Sequence, residues 1–256
     1  MADTESLIVP ALARAAVYRT FSLAFQAPTE GGLRATGAFD EFAILRHAFR
    51  SAGIDSIADL DDYVERLRQD GREIKALADQ YWRVFGHTVR GLVCPCETEY
   101  GDDNKYQQPQ QLADISGYYL AFGLTPLSAS ELRHDHVACE CEFMSFLNLK
   151  QALFLERCGA TPGGAETLDV TYRAERTFLR DHLGRFGRAL ASCLAAEATG
   201  PYYGAWGMLF LRWLDHECVR VGVDGGPSDL TVRTDFSDEA PMACGSASDL
   251  IQILRP

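Results

Sequence analysis

The sequence predicts an all-α protein, a single helical domain over residues 1–221 with a mostly irregular tail over 222–256. Three observations lead there. Apolar residues recur at intervals of three to five along almost the whole chain, the spacing that builds one buried face on a helix. Strand signals are scarce, and Thr231 to Thr234 is too short to found a sheet. No internal repeat or sustained heptad is present, which sets aside solenoids and coiled coils.

Leu7 to Phe25 places Leu12, Ala16, Phe21 and Phe25 on one face, and Pro28 with Glu30-Gly31-Gly32 ends that helix. A short helix fits Phe39 to Phe49. Asp59 reads as the N-cap of a longer one carrying Tyr63, Leu67, Ile74, Leu77, Tyr81 and Phe85, with Gly71 as a break. Gly86 to Gln110 is rich in Gly, Pro and polar residues and reads as a long loop, a kind of segment that is usually functional or mobile. Helical spacing resumes from Gln110 to Phe122, closed by Gly123 just past its end. Ser128 with Glu131 fits a capping box ahead of a helix from Val137 to Leu155. Leu168 to Ala198, with Gly184 and Gly187 inside, and Tyr202 to Val221 complete the set. The tail has a Gly-Gly-Pro break, four acidic residues within Asp229 to Glu239, and a final Leu250-Ile251-Ile253-Leu254 cluster that suits a short docking helix.

Composition narrows the function classes. Hydrophobic residues at 47% supply a core, and 24 basic against 36 acidic residues give a net charge of −12. That sign disfavours nucleic acid and anionic membranes, which need a basic face. It leaves solubility or a cationic partner, with solubility the commoner reason. Met-Ala-Asp-Thr-Glu lacks the positive start of a secretory leader. The uncharged run Ala198 to Leu211 is shorter than the ~20 residues of a membrane span and is broken by Gly and Pro. The expectation is a soluble, cytoplasmic protein whose eight cysteines are reduced.

Cys94-Pro95-Cys96 and Cys139-Glu140-Cys141 have one intervening residue where zinc knuckles use two to four. On a helix, residues two apart point about 200° from each other, so Cys139 and Cys141 do not share a ligand sphere. No His-Glu-x-x-His, Walker loop, dinucleotide fingerprint or Gly-x-Ser-x-Gly elbow is present, and no nucleophile–base pair is visible. The sequence therefore assigns no catalytic residue, no metal ligand and no cofactor of the protein's own. Two clusters stand out: Cys94-Pro-Cys-Glu-Thr-Glu-Tyr100 in the loop, and Arg133-His-Asp-His136 leading into Cys139-Glu-Cys-Glu-Phe-Met144. With the helix begun by Asp135, His136 and Glu140 share a face; the blander reading has Asp135 end-charging the helix and His136 beside it at the surface.

These clusters, in this order, resemble the TorD/DmsD/NarJ family of redox-enzyme maturation proteins. Tyr81-Trp-Arg-Val-Phe-Gly86 is similar to its aromatic stretch, Cys94 to Gly101 to its Pro-x-Glu-Ser-x-Tyr loop, and Leu112 to Leu124 to its Gly-Phe-Tyr helix. Asp135-His136 followed by Glu142-Phe-Met144 resembles its Asp-His…Glu-Phe-Met signature. Arg133 stands where a proline is usual, and Thr98 where Ser is usual. The resemblance implies an all-helical fold, monomeric or a domain-swapped dimer, and a cytoplasmic chaperone, not an enzyme. Its partner would be the apo catalytic subunit of a dimethyl-sulfoxide-reductase-type molybdoenzyme, bound through its twin-arginine signal peptide or a nearby segment. The chaperone would assist entry of the client's molybdopterin cofactor before export. Asp135 and His136 match peptide-binding positions, with Glu97 and Tyr100 after them. Glu99, Tyr118 and Tyr119 join them on physical grounds, since a cationic leader calls for carboxylates beside an aromatic-lined groove. Two other readings stand beside it: a thiol- or metal-dependent enzyme using Cys94, Cys96 and a histidine, and a regulatory module that holds a nucleotide.

Overall fold

The computed structural model describes residues 2–29, 42–54, 74–86, 91–101, 107–125, 132–157, 164–197 and 201–233. Its described residues form helices α1 (Ala2–Ala24), α2 (Phe42–Ser51), α3 (Ile74–Phe85), α4 (Gln108–Ala121), α5 (Val137–Arg157), α6 (Gly164–Phe178), α7 (Gly184–Ala196) and α8 (Pro201–Val221). No strand is present among them; two isolated bridges, Cys96 with His136 and Tyr100 with Val232, are the extended pairings. The all-α expectation holds. The expected N-cap Asp59 and the Ser128–Glu131 capping box lie outside the described residues.

The helices assemble because each buries one face in a shared core. α1 lies along α5, α7 along α8, and α6 closes on α5. Phe21 and Phe25 of α1, Phe49 of α2 and Trp206, Phe210 and Trp213 of α8 meet at ring separations of 4.9–6.5 Å. Such packed aromatics supply a large share of the apolar area removed from water. Ser6–Ala24 has the length and apolarity to cross a membrane, but half of that window is buried inside this core. The α7–α8 crossing is close. A Cβ on Gly207 would sit 2.6 Å from the Cβ of Leu194, and one on Gly187 2.8 Å from Leu214.

Two details differ from the sequence expectation or complete it. Gly123 follows α4 at φ +74°, the left-handed residue that the sequence placed there. The single helix expected over 168–198 is instead interrupted by a π turn at Leu179–Leu183, where the Gly184 N–H bonds back to the Leu179 carbonyl. A Cβ on Gly184 would meet that carbonyl oxygen at 2.3 Å, so the wider turn uses glycine's missing side chain.

A buried ionic network ties four helices together. Arg14 Nε donates to Asn148 at 2.8 Å, and Asn148 and Gln151 donate to Glu175 at 3.1 and 2.8 Å. Arg220 forks onto Glu217 at 2.7 and 2.8 Å and also reaches Glu175; the Tyr18 hydroxyl donates to Glu217 at 3.2 Å. Two guanidinium groups here face two carboxylates.

Candidate functional site

The candidate site is built where the 91–101 loop meets the start of α5. The loop is held by its backbone: Glu97 N–H donates to the Asp135 carbonyl and Val137 N–H to the Pro95 carbonyl, each at 2.8 Å. Glu97–Glu99 form one 3-10 turn. The segment after α8 then crosses the loop, with Gly101 N–H on the Thr231 carbonyl at 2.9 Å and Arg233 N–H on the Glu99 carbonyl at 2.7 Å. The Arg233 side chain reaches the Gly101 carbonyl and Gln111 of α4. Residues 222–233 thus pack as a strap on the helical body.

Asp135 is the hub. It is fully buried, and its Oδ2 accepts from the Thr98 N–H at 3.0 Å and the Thr98 hydroxyl at 2.8 Å. Arg133 grips both Asp135 oxygens, at 3.0 and 2.8 Å, and also holds Glu99 at 2.7 Å and the Thr98 hydroxyl at 2.6 Å. Burial works against the Arg133 charge, but Glu99 and Asp135 outweigh it and keep the guanidinium protonated. A bidentate pair of this kind fixes the orientation of both partners.

His136 caps α5. Its Nδ1 accepts from the Ala138 N–H at 3.1 Å, which satisfies a backbone donor of the first turn. That bond needs an unprotonated Nδ1, and burial holds the imidazole neutral by lowering its pKa to about 4. The helix begins at Val137, so the surface placement weighed for His136 gives way to a buried cap, and Asp135 turns toward the loop instead.

Behind the hub lies a buried, acid-rich cluster. Glu97 is buried with its carboxylate 3.2 Å from Nδ1 of His182, the residue that the π turn carries inward. His182 Nε2 lies 3.4 Å from Asp114 of α4. Glu140 is fully buried, and no donor among the described residues bonds either carboxyl oxygen. Burial first, then the Glu97 and Asp135 charges, pushes its carboxyl well above the usual range. A proton kept on Glu140 faces Glu97.

Of the residues singled out in the sequence, Asp135, His136, Glu97, Glu99 and Tyr100 come together, and mostly in the interior. The Tyr100 hydroxyl donates to the Cys94 carbonyl at 2.8 Å, and its ring packs on Phe186. Tyr118 is half-buried against Phe143, Phe178 and His182, with its hydroxyl on Thr177. Tyr119 donates to the His134 carbonyl at 2.8 Å. The acidic, aromatic-lined surface expected from these side chains is therefore largely an internal clasp, because Thr98, Arg133 and the backbone already take the polar atoms. Arg133, His182 and Glu140 were not singled out as site residues. Arg133 belongs to the second sequence cluster and also departs from a usual proline, but carries no site role there, and His182 lies 85 residues from Glu97 with nothing local to link them.

What the clasp presents outward is a half-open groove of about 440 Å³. Tyr119, Leu124 and Leu132 form one wall, and Cys139, Phe146 and Leu149 of α5 the other. Arg19 and Glu142 pair across the rim at 2.6 Å, both about half exposed. Leu149 is 50% exposed. The cysteines are less inviting for chemistry. Cys94 and Cys96 are buried free thiols; the hydrogen bond between them lowers the pKa of Cys94 and raises that of Cys96. Burial pushes the Cys139 thiol up to about 12. Among the described residues no group of three His, Cys, Asp or Glu is arranged to hold a metal ion.

The helical body thus combines buried ionic networks with an apolar groove at its surface. A family model described as nitrate reductase delta subunit matches residues 47–192. That is more than half of the 256 residues, and the chain belongs to this family of NarJ/TorD-type molybdoenzyme chaperones. No curated protein and no solved structure matches the chain.

Proposed function

We infer that this protein is the cytoplasmic chaperone of one dimethyl-sulfoxide-reductase-type molybdoenzyme. It holds the apo catalytic subunit, through its twin-arginine leader or a neighbouring segment, while the molybdenum cofactor enters and before export. The observation that carries the reading, beside family membership, is the groove between α4 and α5. Its volume and apolar walls suit a few aliphatic side chains of an extended or helical segment. A chain of net charge −12, with Glu142 at the rim where it pairs with Arg19, suits the basic residues that flank such a segment.

In this reading Asp135 and His136 act through position. The hub and cap fix the 91–101 loop to the start of α5, and so fix one wall of the groove. Glu97, Glu99 and Tyr100 serve the same clasp, Tyr119 lines the groove, and Tyr118 backs it.

Calorimetric titration with a panel of twin-arginine leader peptides, and with an apo catalytic subunit, tests this. At least one should bind at micromolar Kd or tighter, and Leu149→Asp should weaken it at least tenfold. Absence of binding to every leader and to the subunit would sink the reading.

A further inference from the structure

The groove has a candidate occupant within the chain itself. Described chain ends at Arg233, whose side chain rests on Gln111 in the first turn of α4. Tyr119, eight residues further along that helix, lines the groove, a distance of roughly 12 Å along the helix axis. Residues 234–249 follow Arg233, and sixteen residues span up to about 50 Å, ample for that path. They lead to Leu250, Ile251, Ile253 and Leu254, four aliphatic side chains within five positions. Asp249 precedes that cluster and Arg255 follows it. The rim offers the matching pair, Arg19 and Glu142, held to each other and both exposed.

We propose that the C-terminal segment 249–255 docks in the groove between α4 and α5, with its aliphatic cluster on Phe146 and Leu149 and its two charges at the Arg19–Glu142 rim. Because that groove is the client site proposed above, the segment is a built-in competitor for the client. Tethering by a linker of this length gives an effective concentration on the order of 1 mM. A segment that binds only at about 100 μM as a free peptide would therefore fill the groove most of the time. A client would bind about tenfold more weakly to the intact chain than to one whose segment cannot dock. The strap formed by residues 222–233 fixes the start of the tether, so the segment is delivered to one side of the molecule.

The test uses the full chain with a photo-crosslinking phenylalanine analogue in place of Gln252. Crosslinks mapped by mass spectrometry should fall on peptides containing Phe146 or Leu149, within one molecule and at a yield independent of protein concentration. Crosslinks elsewhere, crosslinks between copies that grow with concentration, or none at all would overturn the proposal. A dye-labelled peptide of residues 246–256 gives a second measure. It should bind the full chain carrying Ile251→Asp and Ile253→Asp about tenfold more tightly than the unaltered chain, and equal binding would count against docking. Failure of the client reading looks different. Leader affinity unchanged by Leu149→Asp, with the crosslink still mapping to the groove, leaves the segment docked and places the client elsewhere.

Discussion

Two buried ionic networks lie among the described residues, and they are not built alike. Where α1, α5, α6 and α8 meet, Arg14 and Arg220 face Glu175 and Glu217, with Asn148 and Gln151 filling in as neutral donors. At the start of α5, one guanidinium, Arg133, faces Asp135 and Glu99, while Glu97 lies behind them against His182 and Glu140 lies close to Glu97 and Asp135. The first network is balanced two against two. The second has four carboxyl groups and one arginine, and burial together with the neighbouring Glu97 and Asp135 charges favours a proton on Glu140. Balanced charge makes a rivet. Excess acid beside an open groove makes a region whose stability depends on protonation, and it is this region that shapes the proposed client wall.

The largest test removes an arginine from the balanced network. Arg220→Met leaves Glu175 and Glu217 buried with too few partners, and breaking a buried pair from one side costs about 3–5 kcal/mol. Urea unfolding at neutral pH measures it; a loss below about 1 kcal/mol would mean the network is not the rivet its geometry suggests. The second test is the acid limb of stability. Burial lowers the His136 pKa to about 4, against about 6.5 when unfolded, so between those values the unfolded chain binds more protons. The stabilisation from the neutral cap is complete above pH 6.5 and fades as pH falls toward 4, by up to about 3 kcal/mol. His136→Asn keeps an acceptor for the Ala138 N–H but cannot titrate, and it should remove this part of the pH dependence. Unfolding midpoints that track pH identically in both proteins would refute the cap.

How much of this could be seen in the sequence follows from how each feature is encoded. Local features were legible. The helical period marks α1, α4, α5 and α8, although on α1 Phe21 and Phe25 are buried while Leu12 and Ala16 of the expected face are exposed. Gly123 marked a helix end because only a residue without a Cβ enters φ +74° freely. The two clusters that meet at the site were legible as clusters. Their orientation was not: whether Asp135 points outward or into the loop depends on Thr98, 37 residues earlier, and no periodicity records that. The π turn was invisible for a related reason, since one extra residue leaves the apolar spacing of 168–198 nearly intact.

A smaller effect separates the hydroxyl of Thr98 from its methyl group. The hydroxyl donates to Asp135 and accepts from Arg133, so Thr98→Val leaves two charged groups each short of one bond. Hydrogen bonds to charged groups contribute about 1.5–3 kcal/mol, and Thr98→Val should cost about 2. Thr98→Ser keeps the hydroxyl and loses one buried methyl, about 0.8 kcal/mol. If Ser proves as costly as Val, packing rather than the Asp135 hub holds the loop.

The smallest expected change is the sharpest comparison, because it applies one substitution to both networks. Glu140 and Glu217 are both fully buried. Glu217→Gln takes the charge away from Arg220 and should cost about 3 kcal/mol. Glu140 has no cation to lose. Its folded carboxyl titrates well above the range it has when unfolded, so the folded state binds the extra proton. That contribution is complete below about pH 4.3, the unfolded value, and is lost as pH rises through the folded one. An amide carries the same shape without the ionisation, so Glu140→Gln should change stability by less than about 1 kcal/mol where the carboxyl is protonated, and the substituted protein should lose less stability as pH rises. A loss near that of Glu217→Gln would show that Glu140 works as an anion, and would erase the distinction between the two networks.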